Sequence, residues 1–133
     1  MDKTDFSTFQ ILIAEDNAEN FDFLRYSLKK TGITIHHAKN GQEAIDIFRS
    51  QPKIDLVLMD AMMPVIDGFE ASRQIKKIRA EVPLVMLTAY VSPMSIKRAV
   101  ASGCNDYIAK PLSVENLFAA LEKWLILTPP KKP

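Results

Sequence analysis

Cysteine is nearly absent from this sequence: the chain has one, Cys104. That excludes an intramolecular disulfide and every multi-cysteine metal site, and it suits a reducing compartment. The simplest role for Cys104 is that of a small, partly buried residue at a helix end. An excess of one charge is absent too. With 17 Lys and Arg against 16 Asp and Glu, the overall field draws in neither nucleic acid nor an acidic membrane, so any electrostatic meaning must be local. No apolar run approaches the roughly 20 residues of a membrane helix, and Asp2, Lys3 and Asp5 disqualify the start as a signal peptide. These absences predict a soluble cytoplasmic protein that touches neither nucleic acid nor membrane.

There is no internal repeat and no low-complexity block. A chain of 133 residues is long enough for one domain with a core and short for two. Residues 1–8 read as a polar leader, 9–127 as the domain, and 128–133, "TPPKKP", as a tail or linker whose prolines cannot continue a helix. Such ends fit a domain cut from a longer chain as well as one that stands alone.

Between the ends, short β-type runs alternate with helical ones. "QILIA" at 10–14, "ITIHHA" at 33–38, "IDLVLM" at 54–59, "PLVMLTA" at 83–89 and "DYIAK" at 106–110 have strand length and strand composition. The first, third and fourth are apolar on both faces, as the centre of a parallel sheet requires. The segments between them carry helical spacing: Phe21, Leu24, Leu28; Ala44, Ile45, Phe48; Ala71, Ile75, Ile78; Ile96, Ala99, Val100; and Val114, Leu117, Leu121, Trp124. These positions are expected in the core. Asn40 with Glu43, Asp67 with Glu70, and Ser92 before Pro93 mark helix starts, while Gly32 and Gly103 mark helix stops. Strand then helix, five times with right-handed crossovers, predicts a doubly wound three-layer α/β domain.

In such a sheet, ligands bind beyond the carboxyl ends of the strands. Those ends carry Glu15 and Asp16 after the first strand, Asp60 after the third, Thr88 near the end of the fourth and Lys110 after the fifth. Each has a bland explanation alone, as a cap, a turn residue or a solvated lysine. The bland account does not explain why all five fall on one edge. Three carboxylates brought together raise one another's pKa unless a cation sits between them. A hard divalent ion answers this, and Mg²⁺ suits a site with few carboxylates and an incoming phosphate. With an ammonium from Lys110 and a hydroxyl from Thr88, the set matches what phosphoryl transfer needs, and Asp60, ending the central strand, is the best nucleophile for an aspartyl phosphate.

These residues resemble the receiver domains of two-component response regulators. The resemblance covers about residues 9–127 and rests on "AEDN" at 14–17, "LMDAMMPVIDG" at 58–68, "LTA" at 87–89 and "DYIAKP" at 106–111 with the βα spacing between them. It implies a flavodoxin-like (βα)5 fold with a parallel five-stranded sheet in the order 2-1-3-4-5. It implies that Asp60 is the phosphoacceptor and a Mg²⁺ ligand, with Asp16 a direct ligand, Glu15 acting more often through water, and the backbone carbonyl of Met62 the remaining protein ligand. Thr88 resembles the switch hydroxyl, Lys110 the ammonium that pairs with the phosphoryl group, and Tyr107 the aromatic that turns inward when Thr88 moves. Pro111 stands where the family commonly has a cis peptide bond. The chain is then a phosphoacceptor and not an enzyme. Its partner is a histidine kinase or a histidine phosphotransfer protein, and a weak homodimer is a further option. "EDNAEN" and "DAMMPVIDGFEA" look most like receivers attached to hybrid sensor histidine kinases.

The resemblance also places the switch surface on the fourth helix, fifth strand and fifth helix, near Lys97, Arg98, Glu115, Glu122 and Lys123. Met62 and Tyr90 stand two places after the phosphoacceptor and the switch hydroxyl. Neither is an acid or amide able to orient a hydrolytic water, which predicts a long-lived aspartyl phosphate. His36 and His37 are strand neighbours pointing to opposite faces, so edge packing is expected for them and a two-His metal site is not. The alternatives are a receiver-like interaction module that works without phosphorylation, a flavodoxin-like cofactor binder and a small aspartate-dependent phosphohydrolase. "EDNAEN" lacks the Gly, Ser or Thr-rich loop that a phosphate-binding cofactor site requires, and the chain leaves no evident cap or substrate pocket for the hydrolase.

Overall fold

The computed structural model describes residues 5–89 and 91–127. Along the chain run β1 (Gln10–Ala14), α1 (Ala18–Leu28), β2 (Thr34–Ala38), α2 (Gly41–Ser50), β3 (Leu56–Asp60), α3 (Gly68–Ile78), β4 (Leu84–Thr88), α4 (Pro93–Ala101), β5 (Asp106–Ala109) and α5 (Val114–Leu121). A 3-10 turn at Lys29–Thr31 follows α1, and π-helical turns at Glu122–Leu127 follow α5. The strands are all parallel in the order β2-β1-β3-β4-β5, the expected flavodoxin-like doubly wound sheet.

Side-chain alternation along the strands divides the core in two. Leu12, Ala14, Val57, Met59 and Met86 pack on one face against Phe48 of α2, Ile75 of α3 and Ala99 of α4. Ile11, Ile13, Leu56, Leu58, Val85 and Leu87 pack on the other against Leu24 and Leu28 of α1 and Leu117 and Leu121 of α5. Truncating one such side chain, as in Leu58→Ala, costs about 2–5 kcal/mol. β3 is buried from end to end, so Asp60, its last residue, is set in a rigid frame.

The caps form where the sequence placed them. Asn40 accepts from the Glu43 N–H, Asp67 from that of Glu70, and Ser92 forms a reciprocal capping box with Ser95. Gly32 and Gly103 have φ of 77° and 87°, left-handed ends that glycine adopts without strain. Gly41 and Gly68 answer a different need: a Cβ would strike the Ile66 carbonyl oxygen at Gly41 and the Asp60 carbonyl oxygen at Gly68.

Three expectations about packing change. Phe6, inside the expected polar leader, is fully buried, its N–H donating to the Thr31 carbonyl and its ring near Phe9 and Phe118. Val100 and Val114 were expected in the core and are 70% and 45% exposed. The contact stripe of α4 is narrow and centres on Ala99, and Val114 opens α5 one turn before Leu117 reaches the sheet. Trp124 is only half buried, because its Nε1 reaches out to donate to Asp106 Oδ2 at 3.1 Å. No helix among the described residues is long and apolar enough to cross a membrane.

Candidate functional site

The carboxyl ends of β1, β3, β4 and β5 bring together the side chains that the sequence placed there. One carboxylate oxygen each from Glu15, Asp16 and Asp60 lie within 4.8 Å of one another. Glu15 is 1% and Asp60 5% exposed, while Asp16 is open to solvent. Lys110 reaches in from beyond β5 and places its Nζ 3.2 Å from Asp60 Oδ1 and 3.5 Å from Glu15 Oε1. The Lys110 N–H donates to the Thr88 carbonyl at 2.7 Å, tying the ends of β4 and β5. The Lys110–Pro111 peptide bond is cis.

Backbone donors complete the setting. The Asn17 N–H donates to Glu15 Oε2 and the Met62 N–H to Asp60 Oδ1, both at 3.2 Å. One ammonium does not balance three carboxylates. Burial, and next the Asp60 carboxylate beside it, push the Glu15 carboxyl up to about 7. Lys110 alone offsets this charge only in part, and an all-oxygen donor set of this kind suits a hard divalent cation. The residues present therefore fit Mg²⁺.

Thr88 is half buried at the end of β4, and Tyr107 on β5 is 38% exposed. Both border a crevice between the sheet and α4, together with Phe69, Met86, Ile96 and Ala99. Met62 stands two places after Asp60 but turns its side chain outward, 68% exposed. Arg98, expected on the switch surface, contacts α3 instead: its guanidinium stands 3.4 Å from Asp67 Oδ2 and 4.1 Å from the centre of the Phe69 ring. Tyr90, read from the sequence as unable to orient a hydrolytic water, lies outside the described residues.

Sequence reasoning missed what holds the loops. His37 stacks on Phe21 and bonds the backbone of Glu15. Val65 has φ 71° in the loop after Asp60, where the Ile66 N–H donates to the Pro64 carbonyl in a γ-turn. Gly68 leaves room for the Asp60 carbonyl. The "DG" pair at 67–68 was a signal, read only as a helix start.

Comparison with known proteins follows the same lines. A family model described as "Response regulator receiver domain" matches residues 11–122. Response regulator MprA of Mycolicibacterium vanbaalenii is 34% identical over 121 residues, covering 91% of this chain and 52% of that protein, so the chain spans about half the length of this curated relative. A co-crystal of the Saccharomyces cerevisiae histidine phosphotransfer signaling protein Ypd1 with the receiver domain of its downstream response regulator Ssk1 contains a chain 37% identical to this one, with a TM-score of 0.80 and coverage of 87% of this chain and 88% of that chain. The receiver domain of the sensor histidine kinase PA1611 from Pseudomonas aeruginosa, with a magnesium ion coordinated in the active site cleft, is 31% identical, with a TM-score of 0.82 and coverage of 88% and 97%.

Proposed function

The chain belongs to the response regulator receiver domain family, and from that premise we propose that Asp60 is its phosphoacceptor. Receiver domains are phosphoacceptor signalling modules of two-component phosphorelays and not catalysts in themselves. The observation that carries the residue assignment is the placement of Lys110 Nζ 3.2 Å from Asp60 Oδ1 within the three-carboxylate cluster.

Asp60, Asp16, Glu15 and the Met62 carbonyl would hold Mg²⁺, with Glu15 acting through water. Bound there, the ion supplies neutralisation of charge on the transferred group's oxygens. The chain's own part is separate. Burial on β3 fixes the Asp60 carboxylate for in-line attack, and the Met62 N–H and Lys110 ammonium bear on the same Oδ1. Lys110 then pairs with the phosphoryl oxygens, and the Thr88 hydroxyl closes on them from β4.

Closure of Thr88 opens space in the crevice it shares with Tyr107. Tyr107 turns inward, and the face of α4, β5 and α5 is biased to a second conformation that phosphate binding favours. Largely exposed Met94 and Val100 give that face apolar surface for a partner, a second copy included.

The donor is a phosphohistidine on a histidine kinase or a histidine phosphotransfer protein, a reading supported by the Ypd1–Ssk1 co-crystal. Similarity to a sensor kinase receiver supports attachment to a hybrid kinase. The receiver body is residues 9–127, with Phe6 packed against it, and its place is the cytoplasm.

Transfer from a phosphorylated histidine phosphotransfer protein tests this. Label should move to the chain only with Mg²⁺ present and not to Asp60→Asn. Transfer that survives Asp60→Asn would move the phosphoacceptor to another residue, and none to a folded chain would reassign it as a phosphorylation-independent interaction module.

A further inference from the structure

The β1–α1 turn presents two of the three clustered carboxylates, and much of what anchors it comes from β2. The Glu15 N–H donates to the Ala38 carbonyl at 3.0 Å. The Glu15 carbonyl accepts from His37 Nε2 at 2.9 Å. A carbonyl oxygen only accepts, so Nε2 carries the proton in this contact. The same imidazole lies flat on the Phe21 ring, with centroids 3.5 Å apart and planes 6° apart. Phe21 is in the first turn of α1, where its N–H donates to the carbonyl of the N-cap Asn17.

One side chain therefore grips both sides of the turn. Its edge holds the peptide joining Glu15 to Asp16, and its face holds the start of α1. His36 takes no part, since its Nε2 meets Gln10 Oε1 on the other face of the sheet.

We propose that His37 is a positioning residue for the acidic pair, fixing the Glu15–Asp16 peptide so that both carboxylates meet Asp60 in a preformed cation site. This rests on the reading of the cluster as the divalent-cation site of a phosphoacceptor. Rotation of that peptide swings the exposed Asp16 away from the cluster. A turn held before the ion arrives loses less freedom on binding, and the gain appears as affinity.

Two variants of the full chain separate the contacts. His37→Phe keeps a ring over Phe21 and loses the donor, while His37→Gln keeps an N–H donor and loses the ring. Mg²⁺ titration followed by backbone amide shifts, with thermal unfolding alongside, reads the outcome. A single hydrogen bond of ordinary strength sets the expected loss in His37→Phe at about threefold to tenfold in Mg²⁺ affinity, with partial recovery in His37→Gln. The Asp16 amide, bonded to the Glu15 carbonyl carbon, should shift in metal-free His37→Phe. Phosphorylation by acetyl phosphate should slow at low Mg²⁺ and reach the wild-type rate at saturation. Unchanged affinity with an unmoved Asp16 amide would overturn the proposal, as would a rate loss that saturating Mg²⁺ fails to repair. If the wild-type chain binds no Mg²⁺, the cation reading falls by itself, and the Asp16 amide still decides whether His37 holds the turn.

Discussion

Lys110 Nζ lies 3.2 Å from Asp60 Oδ1, the one ion pair that joins β5 to the buried end of β3 among the described residues. Removing that ammonium while leaving the carboxylates intact separates binding of the ion from use of the phosphoryl group. Lys110→Met is expected to retain Mg²⁺ binding, since one positive charge leaves a negative cluster. Its phosphorylation rate should fall about 10²–10³-fold, the usual effect of losing one preorganised charge-stabilising donor. Paired Mg²⁺ titration and acetyl phosphate kinetics check both halves.

The Glu15 carboxyl, pushed up to about 7 by burial and by Asp60, gives a pH dependence with a definite sign. Its folded value lies above its ordinary value of 4.5, so its stabilising contribution to the metal-free chain is complete below about 4.5 and lost as pH rises through about 7. Mg²⁺, reached by Glu15 through water, favours the ionised carboxylate and so competes with that proton. Its apparent affinity should therefore fall by up to about tenfold per pH unit below about 7 and level off above it. Glu15→Gln should abolish most of this slope, as calorimetry at several pH values would register.

Gly68 leaves room for the Asp60 carbonyl, where a Cβ would strike backbone that cannot move without shifting Asp60. Gly68→Ala should cost about 1–3 kcal/mol, as overpacking of a tight site does. It should also slow phosphorylation more than the stability loss explains. Denaturant unfolding and acetyl phosphate kinetics on the same sample separate the two effects.

Val65, 77% exposed with φ 71°, holds a β-branched side chain in the left-handed region. Strain of this kind is worth about 1–3 kcal/mol. Val65→Asn keeps the turn and tolerates that backbone, so it should raise stability by about 1 kcal/mol. An unchanged or lowered unfolding midpoint would mean that the γ-turn is not strained.

The sequence made the cluster legible because Glu15, Asp16, Asp60, Thr88 and Lys110 each end or follow a recognisable strand, and a parallel sheet brings such ends together whatever the loops do. Phe6 escaped because burial near Thr31 and Phe118 depends on elements far away in the chain. Val100 and Val114 satisfied the helical period yet stand outside the contact stripe, whose width is set by the packed neighbour. His37 was rightly placed opposite His36, but a strand residue does not announce that its ring will meet Phe21 and the Glu15 carbonyl.

Intact mass of the chain after incubation with acetyl phosphate tests the central assignment most directly, with Mg²⁺ or chelator, beside an Asp60→Asn control. A gain of one phosphoryl group that requires both Mg²⁺ and Asp60 is expected. An equal gain in Asp60→Asn, or no gain by a folded chain in saturating Mg²⁺, would contradict it.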